Sequence, residues 1–70
     1  MITPKYFFLN GQKYFTESEV TLLDLITYFN YSTSLLVVEY NNLICKKQDW
    51  SQINIINDDR IEIVTIVGGG

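Results

Sequence analysis

"RIEIVTIVGGG", residues 60–70, is the most informative stretch of the chain. Residues 60–67 are rich in isoleucine and valine, and this composition predicts a β-strand. Three glycines follow, and glycine has no side chain to restrict its backbone. The sequence therefore predicts a final strand that continues into a flexible tail made of Gly68, Gly69 and Gly70.

The N-terminal part of the chain predicts a β-hairpin. Residues 5–10, KYFFLN, form an aromatic strand pattern, and residues 12–16, QKYFT, predict the return strand. Asn10-Gly11 is a strong signal for a tight turn, because both residues tolerate positive φ.

Residues 21–29, TLLDLITYF, predict the main helix. Thr21 and Asp24 have the spacing of a capping box, and Asn30 suits a left-handed cap at the other end. Apolar side chains recur at helical spacing and predict a face that packs into the core. This face consists of Leu22, Leu25, Ile26 and Phe29.

The segment after the helix predicts two more strands and two turns. Residues 35–40 predict a third strand, Asn41-Asn42 predicts a turn, and residues 43–46 predict a short fourth strand. Residues 49–53 predict one helical turn, in which Trp50 plugs the end of the sheet. The Asn/Asp composition of residues 57–59 predicts a solvated turn.

The predicted element order is β-β-α-β-β-β. This order indicates an α+β, β-grasp fold, in which a mixed sheet of four to five strands packs on one main helix. The last strand is expected to lie centrally and to run parallel to the first. Alternation along the strands assigns side chains to two faces. We expect Leu36, Val38, Tyr40, Ile61 and Ile63 to face the helix, and Val37, Glu39, Glu62, Val64 and Ile66 to face away.

Composition excludes several classes of function. The chain has 70 residues, which suits one domain, and its net charge of −3 argues against nucleic acid as a partner. It has no histidine, so Ser-His-Asp and Cys-His catalysis are excluded. One cysteine cannot hold a structural zinc, and no segment approaches the length of a membrane span. We therefore expect no catalytic residue, no metal and no bound cofactor.

Few groups remain as candidates for chemistry. Asp58 and Asp59 form a possible metal-binding pair, but a solvated turn explains them more simply. Cys45 lacks a neighbouring histidine to lower its thiol pKa, and we interpret it as a small apolar residue.

By elimination, the carboxylate of Gly70 is the most unusual group in the chain. A glycine stalk has no side chains, so it fits a narrow enzyme channel. Inside such a channel, coupling to AMP would convert the carboxylate into a mixed anhydride, which sulfur, nitrogen or oxygen nucleophiles can attack. A frayed end without function is the alternative.

Six short motifs carry a resemblance to a known family. They are Asn10-Gly11, Thr21-Leu22, Asp24-Leu25-Ile26, Val38-Glu39-Tyr40-Asn41, Asp59-Arg60-Ile61-Glu62-Ile63-Val64 and Val67-Gly68-Gly69-Gly70. With these motifs the whole chain resembles the ThiS family, the ubiquitin-like sulfur carriers of thiamine biosynthesis. Asn42 and Asp58 stand where the family often has glycine, and both lie at predicted turns.

The resemblance implies a carrier protein rather than an enzyme. A ThiF-type adenylyltransferase is expected to use ATP-Mg to adenylate the carboxylate of Gly70. Sulfur drawn from cysteine through a cysteine desulfurase then gives a thiocarboxylate, from which the thiazole synthase ThiG takes sulfur. Gly69 and Gly68 are expected to thread the enzyme channel. Residues 1–67 would form the carrier domain, and residues 68–70 its tail.

The sequence also predicts a docking face for these partners. Val37, Val64, Ile66 and Val67 are apolar and adjoin the tail or the open sheet face. Exposed apolar patches often mark partner sites. Coverage of this face by a loop of the same chain is the alternative.

Other functions fit the same residues. The small subunit of molybdopterin synthase has the same fold and tail, but a different sulfur acceptor. A ubiquitin-like modifier would be joined to target lysines, and an adaptor domain would not use its tail.

Composition also suggests a compartment. The many Ile, Asn and Tyr residues have AT-rich codons, and the single cysteine suits reducing conditions. We therefore expect the protein in a cytoplasm, or in the plastid stroma if it is plastid-encoded.

Overall fold

The computed structural model describes residues 3–29, 31 and 36–66, and these residues form a five-stranded mixed sheet with an α-helix on one face. The strands are β1 Lys5–Leu9, β2 Gln12–Thr16, β3 Leu36–Tyr40, β4 Leu43–Cys45 and β5 Asp59–Thr65, and the helix is α1, Leu22–Tyr28. A 3₁₀ helix, Lys47–Gln52, follows β4. The predicted α+β class and the order β-β-α-β-β-β are confirmed.

β5 is the central strand, as predicted. The sheet order is β2-β1-β5-β3-β4. β5 runs parallel to β1, with Arg60 opposite Phe8, and antiparallel to β3, with Ile63 opposite Val38. The final strand is therefore hydrogen-bonded on both sides.

The hairpin turn does more than reverse the chain. Asn10 and Gly11 have φ values of 51° and 80°, as a primed turn requires. The backbone N–H of Asn10 donates to the carbonyl of Ile61 at 2.9 Å, and the N–H of Ile63 donates to Asn10 Oδ1 at 2.8 Å. The Asn10 side chain thus extends the ladder between β1 and β5 beyond the last residue of β1.

The predicted capping box begins α1. The Asp24 N–H donates to the Thr21 hydroxyl at 3.1 Å, and the Thr21 N–H donates to Asp24 Oδ2 at 2.8 Å. The helix ends with Phe29 as its C-cap. Asn30, the predicted left-handed cap, and Leu35, the predicted start of the third strand, lie outside the described residues.

The core lies between α1 and the inner face of the sheet. Trp50 is only 2% exposed, and its indole N–H donates to the carbonyl of Cys45, the last residue of β4, at 3.1 Å, so its predicted burial is confirmed. Leu36 and Tyr40 are partly buried against the core. The fully packed residues are Phe7, Leu9, Leu22, Leu25, Ile26, Val38, Trp50, Ile55, Ile61 and Ile63.

The predicted solvated turn is wrong for Asp59, which is 3% exposed. Its carboxylate accepts three hydrogen bonds, from the Tyr40 hydroxyl at 2.6 Å, the Asn41 amide at 3.0 Å and the Ile56 N–H at 2.8 Å. These donors compensate for the loss of water around a buried charge. Asp58, in contrast, is exposed and adopts a φ of 70°, as expected for a turn. Asp59 therefore joins the end of β3 and the preceding loop to the start of β5.

Burial of the Tyr40 hydroxyl and its hydrogen bond to Asp59 make the stability of the fold depend on pH at the alkaline end. Burial raises the pKa of the Tyr40 hydroxyl above its ordinary value of 10.0, and the hydrogen bond to Asp59 raises it further. The folded protein thus holds this proton more tightly than the unfolded chain does. The stabilisation is complete below the unfolded pKa and declines as pH rises above it.

We expect Tyr40→Phe to lower the free energy of unfolding by about 1–2 kcal/mol at neutral pH, because a hydrogen bond to a carboxylate is lost from a partly exposed position. The difference from the wild type should shrink above about pH 10, as tyrosine ionises. Urea unfolding across this range measures both effects, with the exposed Tyr28→Phe as the control. A constant difference at all pH values would contradict the assignment.

Candidate functional site

The open face of the sheet, on the side away from α1, carries the predicted docking residues. Val64 is 56% exposed and lies opposite Val37 of β3. Ile66, two residues further along, is 50% exposed. The structure thus places Val37 and Val64 side by side, with Ile66 just after the end of β5. Val67 and residues 68–70 lie outside the described residues.

Two glutamates adjoin this apolar row. Glu62 of β5 lies directly opposite Glu39 of β3, and Glu39 lies opposite Ile44 of β4. Like charges directly opposite on a sheet destabilise the pairing. Among the described residues, one salt bridge is formed, between Lys5 and Glu19 at 3.1 Å. Neither Glu39 nor Glu62 therefore has a lysine or arginine of the described chain within 4.0 Å of its carboxylate.

The basic residues of the same face are directed towards aromatic rings. The Arg60 guanidinium lies 4.6 Å from the centroid of the Phe8 ring, and the Lys13 ammonium lies 4.6 Å from that of Tyr6. Such cation–π contacts hold both cations over β1. The face therefore has an aromatic and basic half over β1 and β2, and an apolar and acidic half over β3, β4 and the end of β5.

Cys45 is partly buried and packs against the core, in agreement with its interpretation as a small apolar residue. Burial raises the pKa of its thiol, and the negative charge of Asp49 raises that pKa further. The thiolate is the nucleophilic form, so this environment lowers reactivity.

The remaining features of the described chain offer little chemistry. In residues 3–29, 31 and 36–66, no three His, Cys, Asp or Glu side chains come together to hold a metal ion. A groove of about 490 Å³ lies between β2 and α1, and Asp24, its acidic lining residue, is held in the capping box. No helix in this part of the chain is long and apolar enough to cross a membrane.

Comparison with known proteins gives consistent matches. A family model described as the ThiS family matches residues 7–70. A protein named ycf40 from Trieres chinensis is 59% identical over 97% of this chain and 93% of its own length. The sulfur carrier protein ThiS of Bacillus subtilis (strain 168) is 34% identical over 71% of this chain and 76% of its own length.

A solved structure supports the fold. The crystal structure of thiamine biosynthesis protein ThiS from Geobacter metallireducens superimposes with a TM-score of 0.78. The match covers 93% of this chain and 99% of that chain, at 16% identity. The predicted β-grasp fold is thereby confirmed.

The raised pKa of Cys45 predicts slow alkylation. At neutral pH we expect iodoacetamide to modify Cys45 several times more slowly than it modifies free glutathione, because less thiolate is present. The rate should rise with pH, and Asp49→Asn should increase it by removing a negative charge. Mass spectrometry of timed samples measures the rate, with Cys45→Ser as the blank. Alkylation as fast as that of glutathione at neutral pH would contradict this picture.

Proposed function

Because the chain belongs to the ThiS family, we propose that it is a sulfur carrier that supplies thiazole formation in thiamine biosynthesis. The observation that carries the proposal is the extent of the family match, which runs through the last strand to Gly70. The Bacillus subtilis relative, which is a sulfur carrier protein by name, supports the same role.

The proposed chemistry uses the carboxylate of Gly70. A ThiF-type enzyme with bound ATP-Mg joins this carboxylate to AMP and releases pyrophosphate. The outer sulfur of a persulfide, supplied through a cysteine desulfurase, then displaces AMP and forms an acyl disulfide with the tail. A thiol reduces the S–S bond of this acyl disulfide, which releases the thiocarboxylate and leaves the thiol in a disulfide. The thiazole synthase ThiG takes the sulfur, and the carrier returns with its original carboxylate. Catalysis in this scheme belongs to the partners, and the carrier acts as a co-substrate without a bound cofactor.

The fold suits this role because β5 is fixed along most of its length. β1 pairs with residues 59–61 and β3 pairs with residues 61–65, and the Asp59 carboxylate anchors the start of the strand. Ile66 follows β5 directly, so in this proposal the partner enzyme contacts a paired strand shortly before the tail in sequence. Gly68 and Gly69 have no side chains to obstruct a narrow channel.

We also propose that four apolar residues, which lie on the open sheet face or shortly precede the tail in sequence, dock both partners. They are Val37, Val64, Ile66 and Val67. Val64 and Ile66 are half exposed, and exposed apolar clusters often mark protein interfaces. For the compartment we propose the plastid stroma or a bacterial cytoplasm, where reducing conditions suit a free thiol.

The thiocarboxylate is directly measurable. After incubation with the adenylating enzyme, ATP-Mg and a sulfur source, we expect the intact protein to gain the mass difference between sulfur and oxygen. Oxidation adds nearly the same mass, so the product should also react with a thiol-alkylating probe. Cys45→Ser serves as the background, because its alkylated product then arises from the tail alone.

Deletion of Gly70 should abolish both signals. Thiocarboxylate formation that persists without Gly70 would contradict the proposal. Transfer of the sulfur to a molybdopterin synthase large subunit in place of thiazole synthase would assign the chain to that pathway. Attachment to target lysines, seen as slower bands on denaturing gels, would identify a protein modifier.

We expect Val64→Asp to weaken binding to both partners at least about tenfold, because a charge enters an apolar contact. The fold should persist, since the Val64 side chain is exposed. Ile56→Asp is the matched control, because Ile56 is also exposed but lies in the loop before β5. Calorimetric titration measures affinity and circular dichroism checks folding. Unchanged affinity of a folded Val64→Asp variant would exclude this face.

A further inference from the structure

We propose that the carboxylates of Glu39 and Glu62 together receive one basic group of the adenylating partner, an arginine guanidinium or a lysine ammonium. The proposal rests on the proposed function, and adds to it the chemistry of the partner's surface. The shared position of the two side chains on the open sheet face is the observation behind it.

The negative charges of the two glutamates are not neutralised by a basic group of the described chain. They occupy directly opposed positions on the central pair of strands, β3 and β5. Opposed side chains on neighbouring strands have Cβ atoms about 5 Å apart, so their negative charges repel. No basic group in the described part of the chain comes within 4.0 Å of either carboxylate. A cation from outside would remove this repulsion.

Arg60 is the nearest candidate along the sequence for an internal counter-ion, and its position excludes that role. It lies two residues before Glu62 on the same face of β5. Its guanidinium, however, lies over the Phe8 ring of β1, on the side of β5 opposite to Glu39. The acidic pair therefore remains available to a partner.

The surroundings favour a cation over any other occupant. Ile44, which is 74% exposed, lies beside Glu39 on β4, and Val37 and Val64 form the next pair on the same face along β3 and β5. A partner that covers these apolar residues also displaces water from the carboxylates. Two carboxylates without water require an opposite charge, and a guanidinium can donate to both at once.

The geometry fixes where the basic group must lie on the partner. Successive residues of a strand advance about 3.3 Å, so Glu62 precedes Val64 by about 7 Å and Ile66 by about 13 Å. The partner's cation must therefore lie farther from the partner's channel than the surface that contacts Val64 and Ile66. An ion pair at that point would set how far the tail enters the channel.

The test compares glutamate-to-glutamine variants in adenylation by the partner enzyme. Pyrophosphate exchange at several carrier concentrations separates KM from kcat. We expect Glu62→Gln and Glu39→Gln each to raise the KM for the carrier by about three- to tenfold, with a smaller salt dependence. The kcat should change less, because the carboxylates do not touch the reacting atoms.

Glu17→Gln is the matched control. It removes the same charge from an exposed position after β2, and its KM should equal that of the wild type. Thermal unfolding provides a second measurement, in which Glu62→Gln should be at least as stable as the wild type because repulsion is relieved. If Glu62 contacts the partner, the variant should keep its stability but be recognised more weakly. If Glu62 has a structural role, the variant should lose stability.

The outcomes separate the two proposals. Normal exchange by the wild type together with an unchanged KM for Glu62→Gln and Glu39→Gln would overturn this inference and leave the carrier function intact. An equal rise of KM for Glu17→Gln would also overturn it, because the effect would then follow net charge. No exchange with the wild type would contradict the carrier function itself, and this inference with it.

Discussion

β5 has a hydrogen-bonded strand on each side, and its first residue carries a buried carboxylate that anchors it. Three donors from β3, its following turn and the preceding loop converge on Asp59. A shift of β5 by one residue would break these bonds, expose Ile61 and Ile63, and bury Glu62. Two constraints therefore fix the register of the central strand: the hydrogen bonds to Asp59, and the burial of Ile61 and Ile63. With this register, the Val64 side chain must point away from the core.

The two faces of β5 divide stability and recognition between them. Ile61 and Ile63 are buried against α1, and each contributes roughly 1.5–3 kcal/mol by leaving water. Glu62 and Val64 project from the opposite face and contribute little to the core. One strand thus links the packing of the domain to the surface that precedes the glycine tail. In the proposed function, this link holds the docking face of a small domain in a fixed orientation relative to its core.

Local rules were enough to predict the elements but not the contacts between them. The Asn10-Gly11 turn and the capping box at Thr21 depend on neighbouring residues, and both were predicted from the sequence. The burial of Asp59 was missed, because Asn/Asp-rich segments usually mark exposed turns, and two of its donors lie 18 and 19 residues away. The opposition of Glu39 and Glu62 likewise requires the pairing register of two distant strands. The docking role of the open face stays a prediction.

The most direct test of the central claim follows the sulfur atom itself. The carrier is first loaded with a heavy sulfur isotope as its thiocarboxylate at Gly70, freed of the sulfur donor, and then given to thiazole synthase with its other substrates and unlabelled cysteine. If this chain delivers sulfur to the thiazole, the product carries the heavy isotope in proportion to the carrier consumed. A thiazole that contains only light sulfur would contradict the account.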